Sequence, residues 1–259
     1  MMESTVASSK VDYDKLAGTY HARYQAKPLR GVAEALCELA RRRPARRMLE
    51  VGCGTGHWLC GWPAGVWSVG LDRSRRMLEQ APAEFPRVQG DANRLPFAAA
   101  AFDLLYVVNA LHHFDDPRGF VREAAAAIAP RGILAIVTLE PRQLRHRWYL
   151  YDYFPGVWEM DLARFPALAE IAGWMAQEGL TAVECRVVER ITDHQRGRAI
   201  FDSPFLAKDA CSQFALLPPE AYQEGLRRIE TACRAAEDAD REIVFPTELA
   251  LHLVSGEKP

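Results

Sequence analysis

Leu49-Glu50-Val51-Gly52-Cys53-Gly54-Thr55-Gly56 is the stretch that decides the fold. The residues before it, Arg47 to Val51, read as a buried strand that runs straight into a glycine loop, and a helix is expected after it. Glycines at 52, 54 and 56 let the chain turn tightly and let a ligand come close to the main chain. The spacing is GxGxG. The dinucleotide fingerprint GxGxxG would need glycine at position 57, where this chain has His57. About 20 residues further on, an acidic residue ending a second strand is positioned to take a ribose diol. Asp72, in Val69-Gly70-Leu71-Asp72, stands there.

Outward from this loop the chain alternates strand and helix. Trp67 to Leu71, Arg87 to Gln89, Phe102 to Val108 and Ile133 to Leu139 read as strands. Ser74 caps a helix to Ala81, and Asp115 or Asp116 caps one that has Pro117 in its first turn and runs to Ala129. Pro130-Arg131-Gly132 reads as the turn into the fifth strand. Such alternation predicts an α/β fold with a parallel sheet and right-handed crossovers. On the N-terminal side, residues 1–10 are small and polar and are expected to be a disordered tail. Leu16, Tyr20 and Tyr24 recur at helical spacing within Val11 to Tyr24, and Leu29 to Arg41 carries an apolar stripe that Pro44 ends. On the C-terminal side the rhythm breaks at 141–164. It resumes with a helix over Phe165 to Glu178, a strand over Thr181 to Arg190, a helix over Pro218 to Glu237 and a strand over Glu248 to Val254. That last strand argues for one domain over 11–259, with insertions at about 141–164 and 192–240.

The 259 residues are 49% hydrophobic and 25% charged, the mixture of an ordinary globular protein. A net charge of −2 gives no global field to hold nucleic acid. No apolar run reaches the ~18 residues of a membrane span, and the first residues carry no secretory signal. Six scattered cysteines without a CxxC pair suit a reducing, cytoplasmic compartment and suggest no metal site.

Four blocks carry a family resemblance: Leu49 to Gly56 (LEVGCGTG), Gly70 to Leu78 (GLDRSRRML), Gly90 to Phe97 (GDANRLPF) and Phe102 to His113 (FDLLYVVNALHH). Together they resemble the class I S-adenosylmethionine-dependent methyltransferases. The likeness is greatest to the small-molecule branch that includes the ubiquinone/menaquinone C-methyltransferases. The resemblance implies a Rossmann-like, seven-stranded, mostly parallel sheet with helices on both faces. Its last strand would be antiparallel and inserted beside Thr181 to Arg190. It also implies site roles. Glu50, Gly52, Gly54 and Gly56 would cradle the methionyl part of S-adenosylmethionine, and Asp72 the ribose. Arg73 and Met77 would lie on the adenine faces, with Asp91 and the Ala92 N–H at the adenine edge. Asn109 would face the methionine amine and the sulfonium, and Tyr20 would close over the cofactor carboxylate. The product would be S-adenosylhomocysteine.

The methyl acceptor should lie beyond the carboxyl ends of the strands. His112 and His113 follow the fourth strand and are candidates for a general base, needed only if the acceptor loses a proton. The segment Arg142 to Asp161 reads as a lid, with Trp148, Tyr149, Tyr153 and Trp158 as candidate walls for a small organic acceptor. The expected partners are therefore a small molecule and, at most, a second copy of the chain. Three other readings stay open: methylation of protein or RNA, a nicotinamide-dependent oxidoreductase, and a protein that holds the cofactor without transferring methyl.

Overall fold

In the computed structural model the described residues are Val11, Tyr13, Asp14, 29–62 and 64–259. The expected tail at 1–10 and most of the expected helix over 11–24 lie outside them. Of the described residues, those within 13–140, 165–190 and 250–259 form one compact unit, and those within 141–164 and 191–249, with Val11, form another.

The first elements are helix α1 (Arg30–Arg42), strands β1 (Arg47–Val51) and β2 (Trp67–Asp72), helix α2 (Arg75–Gln80), and strands β3 (Arg87–Gln89) and β4 (Phe102–Val108). Helix α3 (Pro117–Ala127), strand β5 (Ile128–Leu139) and the short helices α4 (Tyr149–Tyr153) and α5 (Val157–Arg164) follow. The chain continues through helix α6 (Leu168–Gln177), strand β6 (Thr181–Arg196), helices α7 (Ser212–Leu216) and α8 (Pro219–Asp238), and strand β7 (Val244–Glu257). The strands form one seven-stranded sheet in the order β3-β2-β1-β4-β5-β7-β6. Neighbours from β3 to β5 are parallel, and β7 runs antiparallel to β5. The order reverses at β1, so the carboxyl ends of β1 and β4 flank the crevice where an open sheet binds its ligand.

Local chemistry explains the element ends. Val32, Ala35, Leu36 and Leu39 bury one face of α1, and Arg41 and Arg42 sit in its last turn, where cations suit the helix dipole. Ser74 Oγ accepts from the Met77 N–H at the start of α2. Asp116 accepts from the Gly119 N–H at 2.8 Å and caps α3. A Cβ on Gly119 would lie 2.2 Å from Asp116 Oδ2, so the glycine leaves room for that cap. One face of the sheet buries Leu105, Val107, Leu134, Ile136 and Val254 with Phe120, Val121, Ile171 and Met175 from α3 and α6. The other face buries Met48, Leu104, Tyr106 and Leu253 with the stripe of α1.

Three expectations change. No helix follows the glycine loop: the chain makes a single 3-10 turn, His57–Leu59. Gly61, with φ +87°, interrupts the run before β2. Pro130-Arg131-Gly132 is not a turn between helix and strand. It lies within β5 as an irregularity opposite Phe102 and Leu104, with Arg131 at φ +65° and its N–H held by the Lys258 carbonyl at 2.9 Å. Strands β6 and β7 are also longer than expected.

The second unit has its own core. Phe154 packs edge-on against Phe214, with ring centres 4.5 Å apart. A Cβ on Gly225 of α8 would meet the Phe154 ring at 2.0 Å, so the glycine is what lets this helix lie on it. Beneath these rings Asp161 is fully buried. It accepts from Tyr151 Oη, Gln213 Nε2 and Arg164 Nη2, which removes the penalty for a lone buried charge.

Candidate active site

Strand β1 ends at Val51, and the next residues fold back on β2. The N–H groups of Gly52 and Cys53 both donate to the Leu71 carbonyl, at 2.7 and 3.1 Å. Gly52, Gly54 and Gly56 have φ of +74°, +53° and +75°, which only glycine adopts without strain. At Gly52 a side chain is also excluded by space, because a Cβ would lie 2.5 Å from the Ala110 Cβ. The loop therefore touches the residues that follow β4. Gly54 N–H donates to Asp72 Oδ2 at 2.7 Å, and Ser74 N–H to Asp72 Oδ1 at 2.8 Å. Asp72 thus ties the glycine loop to the β2–α2 turn. Each of its oxygens retains acceptor capacity for a hydroxyl.

Glu50 lies in mid-sheet, in register between Gly70 of β2 and Tyr106 of β4. It is 1% exposed, and its Oε2 has no hydrogen-bond partner among the described residues. Burial pushes its carboxyl well above the usual carboxylate range, and the Asp72 charge adds to the shift. Burial raises Asp72 as well, opposed by the N–H groups of Ser74, Gly54 and Arg73. Burial, then the two carboxylates, push the Cys53 thiol up, which disfavours a thiolate nucleophile. Thr55 Oγ1 is a second buried polar atom without a partner here. A glycine cradle, an orphaned carboxylate oxygen and a ribose-type aspartate suit a cationic ligand that also carries a diol.

The other blocks converge on the same edge. Gly90 N–H donates to the Asp72 carbonyl at 3.0 Å, which sets Asp91 and Ala92 beside the end of β2. Asp91 is exposed, with Oδ1 accepting from Asn93 N–H, while Ala92 is buried. Arg73 is exposed, with Nη1 3.6 Å from Asp115 Oδ2. Met77 is 1% exposed and belongs to the packed interior. Asn109 has φ +50° and donates its N–H to the Val137 carbonyl at 2.9 Å. Tyr20 lies outside the described residues.

His112 and His113 form a 3-10 turn after β4. His113 Nε2 is 2.5 Å from the Tyr13 hydroxyl, and the two rings meet edge-on at 5.0 Å. The His112 ring stacks on Phe165 at 3.9 Å and touches His113 at 4.0 Å. Asp14, next to Tyr13, accepts from Ser74 Oγ at 2.5 Å and from Arg76 N–H at 3.4 Å. Residues 13 and 14 therefore bridge the ends of β2 and β4. Tyr13 shares the aromatic run at 13, 20 and 24, but helical spacing favours Tyr20; only the fold singles out Tyr13. Asp14 and Phe165 carry no motif that would have marked them.

The aromatic candidates at 148–158 belong to the second unit. Trp148 and Tyr149 are buried there, Tyr149 edge-on to Phe245. Tyr153 and Trp158 are half-buried, with the Arg145 guanidinium 4.4 Å above the Trp158 ring. Among the described residues no group of three or more His, Cys, Asp or Glu could hold a metal ion, and no helix is long and apolar enough to cross a membrane.

Against known proteins, a family model described as a methyltransferase domain matches residues 49–136. A malonyl-[acyl-carrier protein] O-methyltransferase of Enterobacter lignolyticus is 35% identical over 127 residues, covering 45% of this chain and 51% of that protein. A protein of the same name from Dechloromonas aromatica is 27% identical over 236 residues, covering 80% of this chain and 87% of that one. The chain spans about half the length of the curated relatives it matches at about a third identity. A putative methyltransferase from an antibiotic biosynthesis pathway of Anabaena variabilis superposes with a TM-score of 0.64 at 21% identity, covering 86% of this chain and 96% of that one. At that identity the likeness concerns the fold.

Proposed function

We propose that this chain, whose residues 49–136 match a methyltransferase-domain model, is a class I S-adenosylmethionine-dependent methyltransferase that transfers a methyl group to a small organic acceptor by in-line displacement. The observation that carries this reading is the hydrogen bond from Gly54 N–H to Asp72 Oδ2, which assembles loop and acid into one cradle beside the unpartnered Glu50 Oε2. S-adenosylmethionine supplies an activated methyl group at a sulfonium. What the protein adds is placement, because a positioned acceptor atom about 3–3.5 Å from the methyl carbon removes much of the barrier. Glu50, Gly52, Gly54 and Gly56 hold the methionyl end, and Asp72 the ribose. Arg73, Asp91 and Ala92 bound the adenine, with Met77 packed in the interior behind them, and Asn109 closes the side next to β4.

Where the acceptor must lose a proton, His113 is the candidate base. Its Nε2 is held by the Tyr13 hydroxyl, so a proton taken at the Tyr13 oxygen passes to Nε2. His112, stacked on Phe165, serves as a wall. Of the four aromatic residues, Trp148 and Tyr149 are buried within their own unit, and Tyr153 and Trp158 are half-buried there.

The relatives named as malonyl-[acyl-carrier protein] O-methyltransferases favour a second acceptor class, an acyl group borne on a carrier protein. Incubation with methyl-labelled S-adenosylmethionine and a native metabolite extract, with and without acyl carrier proteins, separates the readings. Label in small molecules is the expected result. Label on carrier protein selects the second class, label on other protein or RNA refutes both, and no transfer leaves a cofactor-binding protein.

A further inference from the structure

His252 lies on β7 directly opposite Thr138 of β5, so both side chains point to the same face of the sheet. That face is apolar at Leu134, Ile136 and Val254, where it packs on α3 and α6. It turns polar at the carboxyl end of β5. There Thr138 is 1% and His252 8% exposed. Glu140, the next residue on that face, accepts from the N–H of Leu168, the first residue of α6, at 3.0 Å. The Thr138 hydroxyl makes only a long contact, 3.4 Å, to the Leu139 carbonyl. His252 Nδ1 is buried and has no hydrogen-bond partner among the described residues. The carbonyl of Val137, one residue before Thr138, holds the N–H of Asn109, which the proposed function places beside the cofactor.

A neutral imidazole sealed in an apolar face costs stability unless its free nitrogen meets a partner. Burial keeps the ring below its ordinary pKa and so favours its neutral form, with Glu140 and a backbone hydrogen bond at Ala250 pulling up and Arg190 down. A hydroxyl suits such a ring in either tautomer, since it donates to a bare Nδ1 and accepts from a protonated one. A carboxylate at the same point would face Glu140.

We infer that His252, with Thr138 beside it, is a specificity-determining residue that holds a hydroxyl group of the acceptor, away from the reacting atom. This rests on the methyltransferase reading. The test uses His252→Phe, which removes the nitrogens, His252→Asn, which restores a polar atom near the Nδ1 position, and Thr138→Val. Label transfer from methyl-labelled S-adenosylmethionine is followed in dilute and concentrated metabolite extract, with S-adenosylhomocysteine affinity and Tm measured alongside.

His252→Phe is expected to lower transfer at least about tenfold in dilute extract and far less in concentrated extract, an effect on KM rather than kcat. His252→Asn is expected to recover most of the loss, Thr138→Val to show a smaller one, and cofactor-product affinity to stay unchanged in all three. Transfer by His252→Phe equal to wild type at every dilution would overturn the inference and assign Nδ1 to a structural water. So would a loss that tracks Tm or S-adenosylhomocysteine affinity. If the wild-type protein neither binds S-adenosylhomocysteine nor transfers label, the methyltransferase reading itself fails and takes this inference with it.

Discussion

Asp72 and Glu50 are neighbouring carboxylates with opposite surroundings. Asp72 is met by two backbone N–H groups and is half-buried. Glu50 is buried with one oxygen unpartnered. A carboxyl whose folded pKa is raised stabilises the fold fully below its unfolded value, and that contribution is lost as pH rises through the folded value. The unliganded wild type should therefore lose Tm more steeply than Glu50→Gln between about pH 5 and pH 8, and the variant should be the more stable at pH 7. Parallel melting curves would show that Glu50 carries no such penalty. Asp72→Ala removes two charge-assisted hydrogen bonds and, on the proposed reading, the ribose contact. Titration calorimetry should find S-adenosylhomocysteine affinity reduced at least about tenfold, and unchanged affinity would remove Asp72 from the site. The place of Asp72 beside the glycine loop was legible because it is set by strand length. The isolation of Glu50 was not, since it depends on Gly70 and Tyr106 in adjacent strands.

At the scale of elements, hydrophobic periodicity located the helices and strands well where one face is buried. Capping was equally readable: Ser74 and Asp116 are both side-chain caps. Replacing Asp116 by Ala should cost about 1 kcal/mol in urea unfolding, with m unchanged; no change in the midpoint would mean that the α3 N-terminus is held by other contacts. The helix expected after Gly56 failed because Gly61 breaks the run, a local signal outweighed by the motif's usual context. Strand β5 begins earlier than expected because Arg131 adopts a left-handed conformation that lets the strand continue past Pro130. The length of β6 was hidden for another reason: its residues alternate between half-buried and exposed, which leaves a weak apolar signal.

For the whole molecule, the alternation of strands and helices anticipated the sheet and its seven strands, and the resemblance anticipated an antiparallel last strand, β7, beside β6. Where that alternation stops, at 141–164 and 191–249, the residues gather in a second unit with a polar core at Asp161. That grouping depends on contacts between distant segments, such as Phe154 with Gly225 and Phe214, which no local pattern encodes. The family model covers the glycine loop, Asp72 and His113 but not His252 or the second unit. On the proposed reading, cofactor binding belongs to the matched stretch and acceptor choice largely to residues outside it. The central claim is that the GxGxG loop and Asp72 hold S-adenosylmethionine rather than a dinucleotide. Calorimetric titration of the wild-type protein with S-adenosylhomocysteine and, separately, with NADH tests this most directly. The account predicts one-to-one binding of S-adenosylhomocysteine and no heat from NADH; binding of NADH without S-adenosylhomocysteine would contradict it.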